Sequence, residues 1–212
     1  MRPDQPVQSA ATDQEGSGRG YAKGRARRQE ILRTAHRAFA DQGFRATSMR
    51  EIAEAVGLSQ AGLLHYFRSK DDLLAEVLRL RDEETYAFNQ RFGRETGMAA
   101  LRRLVDLVEL NARQAGLVRL YTVLSGESVG AGHPAQPYFI SRYTELRERV
   151  AGYLRGARAE GLIREDVDVV QAATSILAVM DGLQLQWLLD PASVDMPEVF
   201  TRFLDGYLRG LA

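Results

Sequence analysis

The chain has 212 residues, 45% of them hydrophobic, which is enough to bury a sizeable core in one large domain or two small ones. Its 28 Lys plus Arg are balanced by 28 Asp plus Glu, so the chain as a whole is neither basic nor acidic. The absence of cysteine excludes a disulfide framework, a thiol nucleophile and a thiolate metal site. In chain order, residues 1–22 are rich in Gln, Ser, Gly and Pro and are expected to form a disordered arm. A first helix is predicted over about 24–41, burying Ile31, Leu32, Ala35, Ala38 and Phe39 and stopping at Gly43.

Residues 47–74 carry the densest local signals. Ser48 with Glu51 has capping-box spacing, and Met49, Ile52, Ala53 and Val56 recur at i, i+3, i+4 and i+7. Gly57 and Leu58 end that helix, and Ser59 caps a second one, on which Leu63 and Phe67 face inward. Ala61, Leu64 and His65 fall on its opposite side, a small mixed face suited to base edges. Ser69 with Asp72 opens a third helix bearing the apolar stripe Leu73, Leu74, Val77, Leu78 and Leu80. Two helices across a tight turn, the second exposed, form a helix-turn-helix pattern. Periodicity alone also allows an ordinary helix hairpin.

Charge favours the first reading. Residues 1–70 hold 12 Lys plus Arg against 7 Asp plus Glu, leaving 16 against 21 of the 28 and 28 for residues 71–212. Arg19, Lys23, Arg25, Arg27, Arg28, Arg33, Arg37, Arg45 and Arg50 face only Glu30 and Asp41 within residues 19–50. Such a cluster beside a helix-turn-helix suits phosphate, with Arg27, Arg28 and Arg45 as candidate contacts. Its alternative is a solvated face on an arginine-rich chain.

The helix opened at Ser69 is predicted over about 69–92, with five further helices at about 97–115, 117–129, 135–160, 166–189 and 195–210, separated by glycine and proline breaks. No period-two alternation supports a strand, so the fold class is all-α with about nine helices. The division is a helix-turn-helix domain over 23–69 and a helical domain over 70–212. The last helix keeps one apolar face through Met196, Phe200, Phe203 and Tyr207. Its predecessor, with Ile176, Leu177, Met180 and Leu183, is apolar over more than half its circumference. These eight residues are candidates for a four-helix interface between two copies; burial inside one subunit is the alternative.

Tyr86, Phe88, Asn111, Tyr121, Tyr138, Phe139, Tyr143, Gln184 and Trp187 place polar and aromatic groups among apolar ones. Together they are candidates for a cavity taking an apolar or amphipathic small molecule, although each one singly fits core or interface better than a ligand contact. The three histidines are His36, His65 and His133. None has a partner at metal-ligand spacing, and neither a nucleophile elbow nor a phosphate-cradling loop occurs. His133, in a Gly-Pro loop, either lines a pocket mouth or is solvated. No cofactor, no metal and no enzymatic activity are expected. The N-terminus lacks a signal-peptide core and no apolar run reaches the roughly 18 residues of a membrane span, so a cytoplasmic location is expected.

Ala38-Phe39, Gly43-Phe44, Ile52-Ala53, Gly57-Leu58-Ser59, Tyr66-Phe67 and Lys70, in register over about residues 27–78, resemble the N-terminal domain of tetracycline-repressor (TetR) family transcriptional regulators. The resemblance implies a homodimer on a palindromic double-stranded DNA operator, released by a small-molecule effector. It implies phosphate contacts from Thr47, Ser48 and Lys70, a base contact from Gln60, and backbone or base contacts from His65 and Tyr66. Thr47 and Ser48 also serve as caps, Gln60 is alternatively only exposed, and Tyr66 alternatively packs beside Phe67. Leu64 and Gly62 depart from the family pattern, the first trading a common aromatic for an apolar contact. The competing reading is a helical ligand-binding or adaptor protein of the same fold without sequence-specific DNA binding.

Overall fold

The computed structural model describes the backbone of residues 14–91 and 95–212 and the side chains of 22–80 and 95–212. Among the described residues there are nine helices and no strand. They are α1 (Gln14–Ala46), α2 (Met49–Ala55), α3 (Gln60–Leu64), α4 (Lys70–Arg91), α5 (Gly97–Ala112), α6 (Ala115–Glu127), α7 (Gln136–Ala159), α8 (Val169–Leu189) and α9 (Met196–Leu211). α1 begins at Gln14 rather than near 24, so residues 14–22 of the expected arm are helical; no proline interrupts that stretch. The backbone leaves helical geometry at Gly43 (φ 80°, ψ 169°), the expected stop.

Local chemistry sets the later boundaries. Asp168 caps α8 by accepting the Val170 and Gln171 amides, and Asp195 caps α9 by accepting the Glu198 amide. Pro137 and Pro197 occupy first turns, where a missing amide hydrogen costs nothing.

Two apolar cores result. The first gathers Ile31, Phe39, Ile52, Leu63, Phe67 and Leu74 of the N-terminal helices, and it continues into Leu120 and Leu124 of α6 and Phe139 of α7. The second lies between α5, α7, α8 and α9. The helical body therefore shares a core with the headpiece instead of hanging from it.

Six of the eight residues expected between two copies are instead protomer core. Ile176, Leu177, Met180, Leu183, Met196 and Phe200 are each less than 9% exposed, packed within the second cluster. Phe203 and Tyr207 remain half-buried. α8 is apolar on two faces, and the one bearing Ile176 turns inward. Val170, Leu185 and Leu189 stay exposed on α8, as does Val199 on α9. α8 also has the length and average apolarity of a membrane span, against the sequence expectation. Thr174, Asp181, Gln184 and Gln186 break its apolar run without lowering the helix average enough to fail that test.

Candidate nucleic-acid interface and internal cavity

The headpiece forms around its caps. Ser48 Oγ accepts the Glu51 amide at 3.2 Å while the Glu51 carboxylate accepts the Ser48 amide at 2.8 Å. Those bonds hold the exposed Glu51 carboxyl below the usual range, the Ser48 backbone bond contributing most. Gly57, at φ 66°, then turns the chain toward Ser59, whose Oγ accepts the Gly62 amide at 3.0 Å. α3 is short, but its hydrogen bonding continues to Phe67, whose amide reaches the Leu63 carbonyl. Leu63 and Phe67 are buried, while Ser59, Gln60, Ala61, Leu64 and His65 are exposed, and Tyr66 is half-buried on the first core. This is the small outer face expected of a base-edge reader.

Four expected phosphate contacts are committed elsewhere. Thr47 is 1% exposed, and its hydroxyl donates to the Gly43 carbonyl at 2.7 Å, so its side chain cannot reach a phosphate. Arg27 pairs with Glu30 at 2.6 Å and donates to the Val56 carbonyl, tying α1 to the end of α2. Arg28 pairs with Glu76 at 2.8 Å and lies over the Phe67 ring, tying α1 to α4. Arg79 also pairs with Glu76, at 3.0 Å, and the bonds from Arg79, the larger contribution, and Arg28 lower the Glu76 carboxyl. Lys70 Nζ donates to the Phe44 and Thr47 carbonyls, each at 2.9 Å, and sits 4.3 Å from the Phe44 ring centre. An ammonium has three donors, so Lys70 keeps one, but it is first a strut between α4 and the α1–α2 turn.

Arg45 remains exposed, as expected of a phosphate contact. Arg68, not singled out from sequence, is exposed just after the reading helix, and its side chain makes no hydrogen bond or ion pair among the described residues. Its place between Phe67 and the Ser69 cap was the available signal.

Behind the headpiece, Glu127 at the end of α6 accepts the Phe44 amide at 2.7 Å. A Cβ on Gly43 would fall 2.3 Å from Glu127 Oε1, so only glycine leaves room for that carboxylate. His133 is neither solvated nor at a pocket mouth. It is 3% exposed, edge-on to Phe44 with ring centres 5.2 Å apart. Its Nδ1 accepts the Ala135 amide at 3.2 Å, which leaves the ring proton on Nε2, 3.6 Å from Glu127 Oε2. The loop after α6 thus closes against the headpiece.

The body encloses a cavity of about 580 Å³ between α5, α6, α7 and α8. Asn111, Tyr121, Phe139, Tyr143 and Gln184 line it, as expected. Tyr138 adjoins the wall, sharing a 2.6 Å hydrogen bond with the Tyr121 hydroxyl. Trp187 is not on the wall but against the second core, and Tyr86 and Phe88 lie outside the residues whose side chains are described. Arg142 and Asp181 are among the wall residues that escaped the sequence reading, as are the charged Glu95, Arg103, Asp106 and Arg149. Arg142 lies 4.6 Å from the Tyr121 ring centre, and Asp181 accepts the Tyr143 hydroxyl at 2.8 Å. Burial raises the Asp181 carboxyl, against the Tyr143 hydrogen bond and Arg142, and burial together with Asp181 raises the Tyr143 hydroxyl. The signal for Asp181 was its isolation, as the one charged residue between Val169 and Leu189.

A capped helix-turn-helix head on a cavity-bearing helical body defines the architecture of a DNA-binding regulator. A family described as "Bacterial regulatory proteins, tetR family" matches residues 31–77, and one described as "BetI-type transcriptional repressor, C-terminal" matches residues 136–212. The HTH-type transcriptional repressor KstR2 of Rhodococcus jostii is 30% identical over 202 residues, 88% of this chain and 91% of the relative. KstR2 of Mycobacterium tuberculosis is 43% identical over 145 residues, 68% of this chain and 72% of the relative. Among solved structures, Salmonella enterica GusR superposes with a TM-score of 0.69 at 29% identity, covering 88% of this chain and 95% of its own. A transcriptional regulator from Saccharomonospora viridis in complex with choline gives 0.71 at 25% identity, covering 85% and 94%. The chain belongs to the TetR family: it is a DNA-binding transcriptional regulator, not an enzyme.

Proposed function

We propose that the protein is a cytoplasmic homodimeric repressor that leaves a palindromic operator when an apolar or amphipathic molecule fills the cavity between α5 and α8. The observation that carries this reading is the double duty of α6. Leu117, Tyr121 and Ser125 line the cavity, Leu120 and Leu124 lie in the headpiece core, and Glu127 grips the Phe44 amide. An occupant that prefers a shifted α6 would prefer a shifted headpiece by the same free energy, typically about 1 to 3 kcal/mol.

The cavity volume falls in the range of drug-sized ligands. The choline bound by the Saccharomonospora regulator supports a small-molecule effector. The exposed apolar stripe of α8 and α9 (Val170, Leu185, Leu189 and Val199) supports pairing of two copies, with Phe203 and Tyr207 at its edge. In such a dimer the reading faces carrying Gln60, Ala61, Leu64 and His65 would address successive major grooves about 34 to 36 Å apart. Ser48, Ser59, Arg45, Arg68 and the spare donor of Lys70 would serve phosphates. The headpiece spans residues 23–69 and the effector domain 70–212 in this reading.

Selecting bound sequences from random DNA with the purified protein tests it. An inverted repeat with half-sites about one helical turn apart is expected, as is a mass of two protomers by light scattering. Recovery of no preferred sequence would refute the repressor reading.

A further inference from the structure

α8 runs for 21 residues with one charged side chain, Asp181, and places it in the cavity wall. Leu104, Leu177, Met180 and Phe139 line the same cavity beside Tyr121 and Tyr143, and the wall also carries the charged Glu95, Arg103, Asp106, Arg142 and Arg149. Among the described residues the carboxylate takes one side-chain hydrogen bond, from Tyr143 at 2.8 Å, and no ion pair. Arg142, which acts on it through space, is stacked on the Tyr121 ring instead.

A carboxylate offers about four acceptor sites, and a charge taken out of water is costly unless those sites are filled. A link between α7 and α8 alone would not need a charge, because a neutral amide oxygen also accepts a tyrosine hydroxyl. The spare acceptor capacity of Asp181 faces the chamber.

We propose that Asp181 is the specificity anchor of the cavity. It takes an apolar effector that bears a hydrogen-bond donor, an ammonium or a hydroxyl, and it turns away one headed by a carboxylate. The proposal rests on the reading of the cavity as the effector site. The donor sits on the Asp181 carboxylate beside the Tyr143 hydroxyl, and the hydrocarbon body lies along Leu104, Phe139, Leu177 and Met180. A carboxylate head at the same place would oppose the charge already there, and its oxygens would have no donor on Asp181 to meet. The Asn111 amide, 7% exposed and with its Oδ1 unpartnered, adds a second polar point on the wall for a further group of the same ligand.

The experiment titrates the full-length protein by calorimetry with decylammonium, 1-decanol and decanoate, each below its aggregation concentration, and follows release of labelled selected DNA in parallel. Wild type is expected to bind decylammonium and decanol about 10- to 100-fold tighter than decanoate, the range for a hydrogen bond to a buried charge. Asp181→Asn is expected to lose the decylammonium preference by at least about tenfold and to hold decanol within a few-fold, since an amide oxygen still accepts from a hydroxyl. Asp181→Leu should lose both, and unfolding curves of the two variants confirm that each is folded. Decanoate binding wild type as tightly as decylammonium, decylammonium binding unchanged in Asp181→Asn, or no binding of any of the three overturns the anchor. The two readouts separate the claims. Asp181-dependent binding without DNA release upholds the anchor and refutes the effector reading, whereas DNA release by decanoate as strong as by decylammonium upholds the effector reading and refutes the anchor.

Discussion

Gly43→Ala tests the joint between head and body. At φ 80° and ψ 169° the residue occupies a region open essentially to glycine, so alanine costs about 1–3 kcal/mol in backbone strain alone. The new methyl would lie 2.3 Å from Glu127 Oε1 and 2.9 Å from its Cδ. That carboxylate is the free end of a flexible side chain, so it can swing away, but it then surrenders the Phe44 amide. A hydrogen bond to a charged group contributes about 1.5–3 kcal/mol, and the partial exposure of Glu127 favours the lower end. The total is about 2–5 kcal/mol against a typical domain stability of about 5–15. Urea unfolding at fixed protein concentration measures it, because an associating protein gains stability with concentration. Glu127→Ala should lose the bond and the approach to His133, and adding Gly43→Ala to it should cost only the strain, so the cycle returns the Glu127 contacts as its coupling energy. A Gly43→Ala midpoint within about 0.5 kcal/mol of wild type, the scatter of an inert surface change, would refute the reasoning.

Lys70→Met removes two carbonyl bonds and a ring contact and should cost about 1–3 kcal/mol in urea unfolding; unchanged stability would mean the strut is not one. Arg45→Ala and Arg68→Ala should leave stability within about 0.5 kcal/mol. Each should lower the salt slope of DNA binding by about 0.9, and a slope equal to wild type in both would remove them from the interface. Gln60→Ala should relax preference at one base pair of the selected site by about 1–3 kcal/mol, and an unchanged selected sequence would exclude a base contact. Asp181 has a carboxyl raised by burial from its ordinary 3.8, so the folded state holds its proton more tightly than the unfolded chain. Its penalty is absent below 3.8, grows as pH rises to the raised value, and is complete above it. Asp181→Asn should therefore be stabilising near neutral pH, with the gain vanishing as the pH falls; a gain that grows in acid would contradict the burial.

What could be read from the chain were features closed within one helical turn. Ser48 with Glu51, Ser59 before Gly62 and Ser69 before Asp72 all form the caps their spacing promises. The fates of the cations were not readable, because their partners are set by the fold. Lys70 finds a carbonyl 26 residues away, and Arg28 a carboxylate 48 away. A local count of charge registers an arginine bound inward and one facing solvent identically. The same limit explains α8. Its apolar residues surround most of the helix, so periodicity reveals two apolar faces but not which one the protomer covers with its own core.

The reach of Glu127 follows that pattern, since it meets Phe44 across 83 residues. Nothing near Glu127 in sequence distinguishes it from a solvated carboxylate at a helix end. Its role comes from α6 lying with one side in the headpiece core and the other on the cavity, and from Gly43 leaving space for its oxygens. The first core is therefore not divisible at the start of α4. Removing the body would strip Leu120 and Leu124 from that core and the His133 ring from Phe44, so part of the headpiece's stability resides in the helix that borders the cavity. A ligand that displaces α6 need not push the reading helix directly. In the proposed function it would act by withdrawing a face of the core on which that helix rests.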